Sequence, residues 1–126
     1  ATVDLTAKTF QETIEKDGIV FLDFWASWCA PCRAFAPVYH KASEAHPDIT
    51  WAKVDTQAER EIAQGMQIEA IPTIMAFRDG ILVFAQSGAM PPKALERLVE
   101  EVRKLDMDDV RKKVEEQEVR PGVATR

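Results

Sequence analysis

The chain has 126 residues, of which 46% are hydrophobic and 29% are charged, close to the averages of folded domains. This composition excludes a disordered or collagen-like chain, and the length suits one domain. A formal net charge of -5 without a basic stripe argues against nucleic-acid binding. No apolar run approaches the ~18 residues that a membrane span needs. We therefore expect a single domain that binds neither nucleic acid nor membrane.

The first part of the chain alternates between strand and helix patterns. Residues 3–5 suit a short strand, and residues 9–16 suit a helix that opens with the capping-box spacing of Thr9 and Glu12. An Asp-Gly pair then ends the helix. Residues 19–25 are apolar at both parities apart from one acid, which is typical of a strand buried on both faces of a parallel sheet.

A long helix is predicted over residues 29–46, where apolar side chains recur at helical spacing. Pro37 lies in its interior and should remove a backbone hydrogen bond and kink the axis. A strand at 49–54 and a short helix at 58–64, closed by Gly65, are expected to follow.

A hairpin and a helix are predicted next. Strands at 73–77 and 81–85 flank Asp79-Gly80, a pair typical of a tight hairpin turn. The helix after Pro91 places its apolar residues on one stripe that covers a sheet face: Leu95, Leu98, Val99, Val102 and Leu105. Strands and helices in this order predict an α/β domain.

The segment after Leu105 has a different pattern. Asp106 suits a new helix start, and Met107, Val110 and Val114 form an apolar stripe out of phase with the preceding one. We therefore expect a domain at 1–105 and a C-terminal extension at 106–126. The extension should be a short amphipathic helix that is packed loosely, with residues 121–126 frayed.

Cys29 and Cys32 are the only cysteines, and their spacing carries the chemistry. Residues three apart on a helix lie roughly 5–6 Å from each other, within the reach of a disulfide. Cys29 falls at the predicted helix start, where free N–H groups and the helix dipole favour a thiolate, so we expect it to be exposed and nucleophilic. Cys32, one turn further, should be better shielded and should resolve the mixed disulfide.

Three other uses of the two thiols stay open: a zinc site, a purely structural disulfide, or a pair of inert thiols. Zinc needs four ligands, and the remaining candidates are His40 and His46. His40 lies eight residues beyond Cys32 on the same predicted helix, about 12 Å along its axis, so the two should not meet on one ion. A structural disulfide that closes so small a ring restrains the unfolded chain little. Both histidines are expected at the solvated helix surface.

Asp23 is the sole charged residue in the strand at 19–25. A carboxylate buried in such a strand loses hydration at a cost of several kcal/mol, which raises its pKa. It would then be a proton shuttle near neutral pH. The alternative is an acid near the strand end that reaches solvent.

A set of residues spread over 3–105 resembles the thioredoxin family of the bacterial type: Phe24-Trp25-Ala26-Ser27-Trp28-Cys29-Ala30-Pro31-Cys32, Pro37, Lys53, Ile71-Pro72-Thr73, Gly80 and Gly88. The resemblance implies a central mixed sheet flanked by helices on both faces, to which the residue pattern adds the short helix of the extension. It also implies thiol–disulfide exchange by the Cys-Ala-Pro-Cys dithiol.

The resemblance implies a role for each matching residue. Cys29 would be the nucleophile and Cys32 the resolving thiol, with Asp23 as a buried acid and Lys53 as the basic side chain near it. The Ile71-Pro72 bond would be cis, with the Ile71 backbone free to pair with an extended substrate segment. The remaining matches would form an apolar docking surface: Trp28, Ala30, Pro31, Ile71, Pro72, Gly88 and Ala89. Trp25 would pack behind the motif.

Two departures from the family pattern matter. Ala30 replaces the usual glycine and adds a methyl group to the docking surface, and residues 106–126 run past the usual C-terminus of the family. In addition, Glu69 places an acid near the docking surface, where it would bias the choice of partner.

The resemblance implies a cytosolic protein-disulfide reductase, without a bound cofactor or metal, that a thioredoxin reductase recharges from NADPH. Its partners would be that reductase and disulfide-containing proteins, and it would act as a monomer. The first residues lack the apolar core of a signal peptide. Two alternatives remain: an extracytoplasmic reductant whose signal peptide was removed, and a thioredoxin-fold binding or assembly subunit without redox turnover.

Overall fold

The structure, a computed structural model, describes residues 1–119 of the chain. The elements in chain order are β1 (Thr2–Asp4), α1 (Ala7–Ile14), β2 (Ile19–Trp25), α2 (Ala30–Ala45), β3 (Thr50–Asp55), α3 (Arg60–Gly65), β4 (Thr73–Arg78), β5 (Ile81–Ser87), α4 (Pro92–Lys104) and α5 (Met107–Val119). The strands form one mixed sheet in the order β1-β3-β2-β4-β5. The α/β architecture expected from the sequence is confirmed.

β2 is the central strand of the sheet. It pairs in parallel with β3 and antiparallel with β4, so Asp23 stands opposite Lys53 on one side and Ile74 on the other. Its bounds are those predicted, because apolar side chains at both parities let the strand bury both faces.

Side chains of β2 alternate between two apolar cores. Phe21 contributes to the core beneath α2 and α4, where its ring stacks on Trp51 with 4.7 Å between centroids. Leu22 and Phe24 contribute to the core on the opposite face, beneath α1 and α3. Because side chains two residues apart share a face, Asp23 lies on the α2 face with Phe21.

The predicted capping box of α1 is wrong. The helix begins at Ala7 rather than at residue 9, and its N-cap is Thr6, whose N–H donates to Thr9 Oγ1 at 3.0 Å. Thr9 is therefore the third helical residue and not the cap, and Glu12 takes no part. Several short threonines near a helix start leave the sequence ambiguous by one turn. The other predicted bounds differ from the observed ones by at most two residues.

The turn between β4 and β5 adopts the predicted tight form. Asp79 and Gly80 have φ values of 51° and 82°, in the left-handed region that such a turn requires at both positions. The turn is fastened to the start of β2, since Gly18 N–H donates to Asp79 Oδ1 and Asp79 N–H donates to the Gly18 carbonyl, both at 2.8 Å.

α5 is the predicted C-terminal helix. The Asp106 carboxylate accepts N–H bonds from Asp108 and Asp109, as a helix N-cap does. Met107 is buried, while Val110 and Val114 are half-buried beside β5. The predicted fraying of residues 121–126 lies outside the described residues. Within residues 1–119 no helix has the length and apolar character of a membrane span.

Candidate active site

The two cysteines lie at the start of α2. Cys29 is the N-cap residue of this helix and is joined to Cys32 by a disulfide, with 5.2 Å between the Cα atoms. The Cys32 N–H donates to Cys29 Sγ at 3.2 Å. An N–H group aimed at a sulfur stabilises negative charge on it, as does the positive end of the helix dipole. The first-turn geometry therefore favours a thiolate at Cys29 once the disulfide is reduced.

The prediction that Cys29 is exposed and Cys32 better shielded is wrong. Cys29 is 4% exposed and Cys32 is 3% exposed, so both are buried in the disulfide form. Ile71 and Trp25 pack against the pair and shield it. Position rather than exposure distinguishes the cysteines, because Cys29 Sγ lies 3.8 Å from the Ile71 carbonyl oxygen.

The loop before Cys29 is held by a residue that sequence reasoning did not identify. Arg33 Nη1 donates to the Ser27 carbonyl at 2.8 Å, which ties the loop to the second turn of α2. Trp28, between them, is 64% exposed, unusual for so large an apolar side chain. No sequence signal predicts a bond between an arginine and a carbonyl six residues earlier.

The loop that faces Cys29 contains a cis peptide bond between Ile71 and Pro72, as the resemblance implies. Gly88 N–H donates to the Pro72 carbonyl at 2.8 Å, which joins the two loops at this end of the sheet. Thr73 Oγ1 donates to the Ala70 carbonyl and braces the loop from within. Within residues 1–119, neither the N–H nor the carbonyl of Ile71 forms a backbone–backbone hydrogen bond.

The predicted docking residues differ in exposure. Trp28, Ala30, Pro31 and Ala89 are exposed, Ile71 and Gly88 are half-buried, and Pro72 is buried. Hydrogen bonds and packing bring Cys29, Ile71, Pro72 and Gly88 together.

Asp23 is buried beneath α2, with 1% of the residue exposed. Its Oδ1 has no hydrogen-bond partner within residues 1–119. Burial raises the pKa of Asp23 from 3.8 to about 6, and the Lys53 charge opposes part of that rise. The alternative of an acid that reaches solvent is therefore wrong.

Lys53 is placed beside Asp23 by the pairing of β2 with β3. Its ammonium also lies 4.9 Å from the centroid of the Trp25 ring, a cation–π distance. Trp25 packs behind the cysteines, as expected from the resemblance. Its Nε1 is buried without a hydrogen-bond partner among the described residues.

Tyr39, one of the side chains at helical spacing that predict α2, also carries a buried polar group. Its hydroxyl donates to the Ala52 carbonyl at 2.7 Å. Burial raises the pKa of Tyr39 well above its ordinary value, and the charge of Asp23 raises it further. The buried residues of α2 are Cys32, Phe35, Tyr39, Ala42 and Ser43. Cys32 and Tyr39 are seven residues apart and share this buried face, and the Asp23 charge acts on Tyr39, so Asp23 lies beneath the helix face that carries Cys32.

The histidines lie away from the thiols. His40 is exposed beside Glu44, as expected. His46 is not a freely solvated residue, because its ring lies 2.7 Å from Glu96 and 3.1 Å from Arg103. The described part of the chain contains no cluster of three side chains suited to hold a metal ion.

Known proteins resemble the chain in sequence. The thioredoxin family matches residues 1–101. A protein of Streptomyces coelicolor described as putative thioredoxin 2 is 50% identical over 122 residues, 97% of this chain and 91% of that protein. Because 122 residues align, this similarity extends into the segment after residue 105. The thioredoxin of Alicyclobacillus acidocaldarius is 40% identical over 103 residues, 81% of this chain and 98% of that protein.

Solved structures resemble it in fold. The thioredoxin of Malassezia sympodialis superposes on this chain with a TM-score of 0.73 at 31% sequence identity. The superposition covers 80% of this chain and 90% of the Malassezia chain. The expected fold, with a five-stranded mixed sheet between helices, is thereby confirmed. Sequence, fold and the cysteine pair at the start of α2 agree, and the chain belongs to the thioredoxin family.

Proposed function

We propose that this thioredoxin-family oxidoreductase reduces protein disulfides with Cys29 as the nucleophile and Cys32 as the resolving thiol. The observation that carries the assignment is the position of Cys29. It is the N-cap of α2, its sulfur accepts the Cys32 N–H, and it lies beside the Ile71 backbone that an incoming chain would meet.

The reaction starts from the reduced dithiol. The Cys29 thiolate attacks one sulfur of the substrate disulfide, the substrate S–S bond breaks, and the departing thiolate takes up a proton. The Cys32 thiol then loses its proton and attacks Cys29 Sγ, which releases the second substrate thiolate. Two electrons pass to the substrate, and the Cys29–Cys32 disulfide is the oxidised product.

Asp23 is the proposed acceptor of the Cys32 proton. A carboxyl group with a pKa of about 6 is largely ionised near neutral pH, and it releases a bound proton far more readily than a thiol of ordinary pKa. It lies beneath the face of α2 that carries Cys32, where its Oδ1 has no competing partner among residues 1–119. Lys53, opposite it on β3, limits the rise of its pKa.

The proposed docking surface surrounds the Cys29 sulfur. The exposed indole of Trp28 and the small residues Ala30, Pro31, Gly88 and Ala89 offer apolar contacts. The Ile71 N–H and carbonyl, free of backbone hydrogen bonds within residues 1–119, would pair with an extended substrate segment beside Pro72.

The electron donor, the compartment and the functional unit complete the proposal. A thioredoxin reductase would recharge the disulfide with electrons from NADPH, in the cytoplasm and on a monomeric protein. Residues 1–105 would be the redox domain, since they contain every buried core residue of the described chain except Met107, the first residue of α5.

Insulin reduction coupled to NADPH and thioredoxin reductase tests this function. The wild-type protein should precipitate the insulin B chain and consume NADPH, and the Cys29→Ser/Cys32→Ser double variant should do neither. A binding or assembly subunit would instead act equally well with the double variant in its native context. Recharging by an extracytoplasmic electron donor, with none by a thioredoxin reductase and NADPH, would contradict the proposed compartment.

A further inference from the structure

The loops around the Cys29 sulfur are almost free of charge. The segments 24–32, 62–77 and 80–92 supply the cysteine motif, the cis-proline loop and the Gly88 loop, and Glu69 is their one charged residue. A flanking charge that the structure ties to these loops is Arg33, which binds the Ser27 carbonyl at the start of α2. Glu69 itself forms no ion pair within residues 1–119, so its carboxylate is available to a bound chain.

Glu69 also lines a groove that continues from the docking surface. The groove has a volume of about 300 Å³, and its other lining residues include Met66, Ile68, Met75 and Ser87. It borders the docking surface, because Ser87 directly precedes Gly88 and its hydroxyl lies 3.5 Å from that of Thr73. This volume is at the lower limit of ligand pockets and suits one side chain rather than a whole small molecule.

The position of Glu69 relates the groove to an incoming chain. Glu69 is exposed and stands two residues before Ile71, at most about 7 Å along the chain. A substrate segment paired with the Ile71 backbone would thus bring residues near its cysteine within reach of the groove. A lysine or arginine stem could lie on Met66 and Met75 with its charge at the Glu69 carboxylate.

We propose that Glu69 makes this groove a specificity site for substrates with a lysine or arginine close to the reactive cysteine. The inference rests on the proposed disulfide reduction and adds a preference to it. A charge at the rim of a binding site acts mainly on association rate and its salt dependence. Exposed ion pairs are weak, so the expected preference is a modest factor of about two to five in kcat/KM at low salt.

Stopped-flow tryptophan fluorescence of the reduced protein with synthetic disulfide peptides tests the preference. Three peptides are used, identical except for Lys, Gln or Glu at the second position on both sides of the cysteine. The wild-type protein should react about two- to fivefold faster with the Lys peptide than with the Gln peptide, and most slowly with the Glu peptide. Raising the salt concentration should compress these differences.

Variants distinguish a local effect from net charge. Glu69→Gln should bring the Lys/Gln ratio close to one, and Glu69→Lys should reverse the order. Glu61→Gln removes an exposed acid on α3 outside the groove and should leave the ratio unchanged. Equal ratios in wild type and Glu69→Gln, or the same loss in Glu61→Gln, would overturn the inference. If no peptide is reduced, the proposed function itself fails.

Discussion

The two ends of β2 treat polar groups in opposite ways. At its start, Gly18 and Asp79 exchange two hydrogen bonds, and the Arg78 guanidinium donates to three carbonyls at the end of α4. At its last residues, Asp23 Oδ1 and Trp25 Nε1 are buried without partners among residues 1–119. Both buried side-chain atoms without a partner in residues 1–119 thus lie at the end of β2 that leads into the cysteine motif, which we call the redox end.

The difference shows where the protein gives up stability. A buried polar group without a partner costs about 1–3 kcal/mol, whereas a hydrogen bond to a charged group contributes about 1.5–3 kcal/mol. The end with the paired groups anchors the sheet, the β4–β5 turn and α4. The end with the unpaired carboxylate keeps a proton acceptor available. Departures from full hydrogen-bond pairing are expected to gather where chemistry takes place.

Substitution of the cysteines has the largest expected effect and acts on the redox end alone. Cys29→Ser should reduce insulin reduction to the uncatalysed rate, because no nucleophile remains. Cys32→Ser should accumulate covalent mixed disulfides with substrates, because the resolving step is lost. Mass spectrometry of adducts formed with a peptide disulfide distinguishes the two. Adducts on the Cys29→Ser variant instead would reverse the assignment of roles.

Asp23→Asn should stabilise the protein in a pH-dependent way. The pKa of Asp23 is about 6 in the folded protein and ~3.9 unfolded, so the folded state binds the proton more tightly. The stability that this proton binding contributes is complete below about pH 4 and is lost as the pH rises through about 6. The variant should be more stable than wild type by up to about 3 kcal/mol at pH 8, and nearly equal at pH 4, in urea denaturation.

The same substitution should slow release of the mixed disulfide, since Cys32 loses its proton acceptor. Stopped-flow kinetics of wild type and Asp23→Asn measure attack and release separately. Equal release rates across pH 6 to 9 would contradict the proton-acceptor role, and equal stabilisation at pH 4 and pH 8 would contradict the raised pKa.

Arg78→Met tests the opposite end of the strand. It removes the donor that the carbonyls of Val102, Arg103 and Leu105 share, at 2.8 to 3.1 Å. We expect a loss of about 2 kcal/mol in the free energy of unfolding, with dithiol kinetics within twofold of wild type. Arg78→Lys keeps the charge but not the planar guanidinium, and should lose less. If the rate of disulfide reduction falls well beyond twofold, the two ends of β2 are coupled and the comparison fails.

Truncation after Asp106 has the smallest expected effect. It removes α5 and the Arg111–Asp79 ion pair, at 3.3 Å between partly exposed side chains. Among residues 107–117, for which burial is described, Met107 alone is buried to the level of the core. Burial of a methionine stabilises by roughly 1.5–3 kcal/mol, and the conformational entropy lost when the helix becomes ordered opposes this gain. We expect about 1 kcal/mol lower stability and full insulin reduction. If truncation unfolds the protein, the boundary at 105 is wrong and α5 belongs to the domain.

Much of the fold could be predicted because its signals are local. The bounds of β2 follow from apolar residues at both parities, and the β4–β5 turn follows from Asp79-Gly80. The spacing of Cys29 and Cys32 predicts that a disulfide can form between them. Side-chain spacing and backbone preference act over a few residues, so the sequence contains them directly.

The properties that give the redox end its chemistry depend on distant neighbours. From the sequence, Asp23 could be either exposed to solvent or buried. The strands on both sides of β2 and the helix above it bury the side chain. The equal burial of Cys29 and Cys32 results from Ile71, 42 residues beyond Cys29, and from Trp25. The sequence alone thus determined the family, the strand and helix order and the dithiol. Tertiary structure alone decided exposure, pKa and polar pairing, because these depend on which groups from remote parts of the chain displace water around a side chain.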